Sequence, residues 1–171
     1  MPRPYPPLAI ANDLISRYGY VDGIDHMKLQ KLVYLVHGWW LAYHDQPVLS
    51  ERPEVWRYGP VFPSLYHALK GFGDHPIRLP QRAVPFDPPP MVDDADDDVL
   101  GLIDWVWSRY GGYPGVRLSD ITHENGTPWR TMAVRHQYRV PTNLVIPDAL
   151  LKEYFRNEEA KRVGMRPGGG A

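Results

Sequence analysis

The residue types in this chain that could do chemistry are seven histidines, an acidic stretch at Asp93–Asp98 and the serines Ser64 and Ser119. Their spacing speaks against the reactions they would serve. His37 and His44 stand seven residues apart on one apolar segment, beyond the i, i+4 spacing that brings two imidazoles to one zinc ion. His123-Glu124 lacks the second histidine of a helical zinc motif. There is no cysteine, so thiolate nucleophiles, disulfides and cysteine-held zinc are excluded. "YGGYPG" has neither the preceding apolar strand nor the lysine–hydroxyl ending of a phosphate loop. The acidic stretch lacks the alternating ligands and glycine of a calcium loop and reads as a solvated helix start. Ser64 follows a proline at a helix start, and Ser119 reads as a helix cap. The expectation is a protein without catalytic residues, metal ligands or cofactor.

What remains is aromatic and amide chemistry. Six tryptophans and eleven tyrosines exceed what one small core needs, and these rings serve interiors and protein interfaces alike. Trp39, Trp40, Trp105 and Trp107 read as core. Trp56, Tyr58 and Tyr66 surround a junction with two prolines, Pro60 and Pro63, where a rigid turn could present them outward. Gln30, Tyr34 and His37 fall on one strip of a helix. That strip is either a recognition face or the solvent edge of a buried helix, and the residues alone favour the second.

The elements that must position these groups are mostly helical. Leu8–Tyr18 has one apolar face and ends at Gly19. Met27–His44, capped by Asp25, is apolar around most of its circumference, which places it at the centre of the core. Gly38 in its middle suggests a close helix crossing. A short extended piece ends at Trp56–Tyr58, after which Gly59 at the cap and Pro60 at the first helical position would start a helix to Lys70. Asp74–Pro90 is a proline-punctuated loop, the acidic stretch opens a helix ending near Tyr110, and Leu118–Met132 reads as helix, turn, helix. Pro147 begins a terminal helix with Leu150, Leu151, Tyr154 and Phe155 on its buried face. The fold class is thus mainly α with a small β-sheet, a compact single domain over 1–162 followed by a flexible tail, 163–171.

Composition bounds the partners. A net charge of -1 argues against a broad grip on nucleic acid. No apolar run is long enough to cross a membrane, and four prolines break the N-terminus where a signal peptide would need a continuous apolar core. A cytoplasmic location is expected.

One pattern spans these elements: Lys28-Leu29-Gln30-Lys31-Leu32 with Tyr34 and Gly38-Trp39, then Trp56-Arg57-Tyr58-Gly59-Pro60-Val61 with Pro63, Tyr66, Lys70, Gly71 and Gly73, then Leu118, Ser119, Thr122, His123, Pro128 and Trp129. In this order they resemble the Panacea antitoxin domain, the SocA-like or phage-associated GepA family. The resemblance implies a type II toxin–antitoxin module in which the chain neutralises a cognate protein toxin by direct binding. The candidate partner-binding residues are Gln30, Lys31, Tyr34, Trp56, Tyr58, Pro60, Tyr66 and Lys70. The alternatives are a proteolytic adaptor that delivers the toxin to an AAA+ housekeeping protease, and a DNA-binding autoregulator using Leu118–His136.

Overall fold

The computed structural model describes residues 1–164, in which seven α-helices and one two-stranded antiparallel sheet form an α+β domain. Helix α2, His26–Tyr43, is its axis. The Asp25 carboxylate accepts the Lys28 amide at 2.9 Å and caps it. Every residue from Leu29 to Ala42 is buried, because α1 (Pro7–Leu14), α3 (Pro63–Leu69), α4 (Asp97–Tyr110), α5 (Gly115–His123), α7 (Asp148–Gly164) and a strand surround the helix. Gln30, Tyr34 and His37, with Lys31 beside them, are therefore buried and do not form a solvent edge.

Gly38 marks the crossing with α7. A Cβ built there would lie 2.1 Å from Phe155 Cε2, so the ring fills a notch that only hydrogen leaves open. Phe155 then meets Trp39 edge-on at 5.3 Å, and Trp39 meets Trp105 at 5.1 Å. Phe155 and Leu151 are buried, while Leu150 and Tyr154 are half-buried at the margin. Helix α7 runs through Gly164, so the first two residues of the expected tail are helical; the remainder, 165–171, lies outside the described residues.

Helix α1 is buried along its whole length and continues as a π-helical turn, Ile15–Gly19. Helix α4 starts as its acidic run foretells, with Asp96 as cap and Asp97 and Asp98 in the first turn. Asp96 also accepts from Arg3 Nε (2.9 Å) and the Tyr5 hydroxyl (2.8 Å). Burial alone would push its carboxyl up, but these donors and the Val99 amide outweigh it and hold the group below the ordinary carboxylate range. Its contribution is then present above the unfolded pKa and lost as pH falls through the lower, folded value. Asp96→Ala is expected to cost about 2 kcal/mol at neutral pH and progressively less as pH falls below the ordinary carboxylate range, read from urea midpoints.

The sheet corrects one expectation. Strands β1, Glu54–Trp56, and β2, Gly59–Val61, pair with Glu54 opposite Val61 and Trp56 opposite Gly59, leaving Arg57 and Tyr58 as a two-residue turn. Pro60 is thus in a strand, and Pro63 is the first residue of α3, with Phe62 before it as the cap. Proline fits β2 because its opposite residue, Val55, turns its amide away, to Leu144 O at 2.9 Å. Gly59 has φ 112, a conformation that this turn requires and that other residues resist. Ser119 is also corrected: it lies inside α5, and the cap of the next helix, α6 (Pro128–Arg135), is Thr127.

Candidate functional site

The hairpin is held by its backbone from three helices. Trp129 Nε1 of α6 donates to Trp56 O (2.8 Å), His123 Nε2 of α5 to Arg57 O (3.2 Å) and Ser119 Oγ to Tyr58 O (2.6 Å). Lys31 Nζ of α2 donates to Pro60 O at 2.9 Å. The Gln30 amide reads Phe62 twice, its Oε1 accepting the Phe62 N–H (3.0 Å) and its Nε2 donating to Phe62 O (3.3 Å). Four carbonyls around a two-residue turn each have a side-chain donor, so the turn cannot relax without breaking hydrogen bonds, most of them at least partly buried. Gly59 closes the arrangement: an added Cβ would stand 3.0 Å from Lys31 Nζ and from Thr122 Oγ1.

Lys31 is 2% exposed and has no carboxylate within ion-pair distance among the described residues. Burial pushes its amine down to about 7. His26, whose Nε2 lies 3.1 Å from Gln30 Nε2, is lowered by burial first and the Lys31 charge second. The amide nitrogen can only donate, so the His26 nitrogen facing it accepts.

With its backbone fixed, the turn projects its side chains. Arg57 lies over the Tyr58 ring at 5.3 Å, and Tyr58 is 59% exposed. Beside them runs a groove of about 700 Å³, lined by His26, Gln30 and Lys31 of α2, Trp56 and Tyr58 of the hairpin and Tyr66 of α3, with the start of α5 on its other side. Trp56 and Tyr66 pack at 4.9 Å. A second hollow of about 540 Å³ lies against β1, Trp129 and Tyr138, so Trp56 and Arg57 border both. Three-histidine or mixed His/Asp/Glu clusters suited to a metal ion are absent among the described residues.

Five of the eight residues singled out from the sequence, Gln30, Lys31, Trp56, Tyr58 and Tyr66, therefore line one groove. Pro60 is buried and serves through its carbonyl. Tyr34 does not line the groove: it is buried against Phe155 at 6.0 Å, its hydroxyl unpartnered and its ionisation pushed up by burial. Lys70 is exposed at the end of α3 but does not line the groove. Arg57, Ser119, His123 and Trp129 were not among the eight. All four stand in the motif pattern itself, and Arg57 forms the turn, but nothing in the spacing of Ser119, His123 and Trp129 shows that they converge on it from more than sixty residues away.

The family model for SocA-like antitoxins with a Panacea domain matches residues 29–130 of this chain. The chain belongs to this antitoxin family. Antitoxin SocA of Caulobacter vibrioides (strain NA1000 / CB15N) is 29% identical over 170 residues, covering 94% of this chain and 87% of the relative. No solved structure matches the chain. The matched part of the Panacea domain contains Gln30, Lys31, Ser119, His123 and Trp129, the side chains that hold the hairpin; α7 and its Phe155 lie beyond it.

Proposed function

We propose that this chain is the antitoxin of a type II module and neutralises its cognate protein toxin by direct binding, with the Arg57–Tyr58 turn and the adjoining groove as docking ridge. The observation that carries this reading is the fixed hairpin: side-chain donors from α2, α5 and α6 hold its carbonyls while an arginine and a tyrosine project into solvent. Arginine and aromatic anchors on a preorganised backbone lose little freedom on binding, which favours affinity. The groove's aromatic lining supplies apolar area next to them.

Tyr58→Ala tests it, because the exposed ring contributes little to folding. The variant should stay within about 0.5 kcal/mol of parental stability, yet bind the product of the adjacent reading frame about tenfold or more weakly. Full neutralisation and unchanged co-elution by this variant would count against the hairpin. An adjacent product that is harmless alone, or that never co-elutes with the chain, would remove the antitoxin–toxin pairing itself. Of the cations that the DNA-binding reading would use, Arg130 is engaged by His123 O (2.8 Å) and the Tyr138 hydroxyl (3.0 Å), while Arg135 is exposed.

A further inference from the structure

The loop from Gln81 to Pro90 is closed at its neck by one side chain. Asn12, wholly buried in α1, accepts the Gln81 amide at Oδ1 (2.7 Å) and donates through Nδ2 to the carbonyls of Gln81 and Pro90 (2.9 Å each). Holding both ends at one point makes the segment an Ω-loop. Inside it, Arg82 donates to Asp87 O (2.7 Å), and Pro85, Pro88 and Pro89 restrict the backbone. At its tip Phe86 has φ 72 and is 97% exposed. A non-glycine residue in that conformation is held against its preference, and a ring left in water adds nothing to the core. Leu79 and Val84 are exposed near it in the chain.

The loop shares no residue with the groove, yet paired segments join them. Asp25 and His26 line the groove, as do Gly73 and Asp74. Ile24 and Ile77 exchange backbone hydrogen bonds of 2.9 and 3.0 Å, and Arg78 Nε donates to Val21 O at 3.0 Å, with Tyr20 and Val21 exposed alongside. Fifteen residues line the groove, whereas a stable interface takes about 20–30 a side, so a protein seated on the groove must extend past it.

Resting on the proposed antitoxin reading, we infer that Phe86 is a second anchor for the toxin, entering an apolar socket on the same protein that covers the hairpin. The closed neck restricts the loop before binding, so that less of the ring's burial is offset by ordering the loop.

The test measures affinity of the full chain for the purified product of the adjacent reading frame by biolayer interferometry, with Phe86→Ala, Phe86→Trp and Tyr58→Ala. The expected result is about a tenfold or greater loss for Phe86→Ala, affinity within about threefold of parental for Phe86→Trp, and a loss for Tyr58→Ala. Parental affinity in Phe86→Ala with a loss in Tyr58→Ala overturns this inference and leaves the hairpin reading standing. Parental affinity in both overturns both. Co-sedimentation with vesicles of phosphatidylcholine and phosphatidylglycerol that Phe86→Ala abolishes, its affinity for the protein unchanged, assigns the ring to a lipid surface and overturns the inference.

Discussion

Gly38→Ala is expected to destabilise this protein by about 2–3 kcal/mol, against the direction that helix propensity alone dictates. In an open helix interior the same change would gain about 1 kcal/mol, since glycine loses the most backbone freedom on folding. Packing decides the sign. The new methyl would sit 2.1–2.5 Å from three atoms of the Phe155 ring, which is itself enclosed by Tyr34, Trp39 and Tyr154 and has nowhere to turn. The pair can be uncoupled. Phe155→Leu alone opens a cavity and costs about 1–3 kcal/mol, but the double variant should recover part of the Gly38→Ala loss, an interaction of about 1 kcal/mol or more in a double-mutant cycle. Urea denaturation of the four proteins measures it; strictly additive losses would show that the ring does not fill the notch.

The second large effect is a pH dependence. Lys31 keeps its proton to about 10.4 when the chain is unfolded and only to about 7 when buried. Between those values the unfolded state binds the proton and the folded state does not, so stability rises with pH by roughly 1 kcal/mol per unit. Below about pH 7 both states are charged, and the full cost of burying the ammonium is borne. Lys28, lowered by burial in the same direction, adds a smaller slope of like sign. Above pH 10 the trend reverses, because Tyr18 and Tyr154 are pushed up to about 12 by burial and stay protonated when folded. Lys31→Met should remove most of the rise between pH 7 and 9.5 in urea midpoints. A parental slope in that variant would mean that the amine is solvated and that the Pro60 contact does not hold it.

The central helix, its cap and its close crossing at Gly38 were legible because apolar periodicity, an aspartate and a mid-helix glycine are local signals. The acidic start of α4 was legible for the same reason. The hairpin was not. Gly59-Pro60 satisfies the chemistry of a helix start as well as that of a turn, and only the pairing partners, Val55 with its amide turned to Leu144, decide between them. Gln30 and Lys31 were picked out as polar residues on an apolar helix, but a sequence does not say whether such groups face a partner or the protein's own backbone. Here they face Phe62 and Pro60. Ser119 looked like a cap since serine favours helix ends, and a long-range carbonyl overrode that preference. The Asn12 clamp was invisible for a similar reason: an asparagine in an apolar helix carries no mark of which distant loop it ties.

The ring that completes the centre of α2 arrives 117 residues after the glycine that receives it, from Gly38 to Phe155. At about 5–20 residues per second, a ribosome needs roughly 6–23 s to make that span. Throughout this interval the nascent chain has its longest helix without the ring that shields its middle, leaving apolar surface of the kind that promotes aggregation exposed. Any interruption of translation before the last helix emerges leaves an incomplete product, which ties the supply of working protein to uninterrupted synthesis.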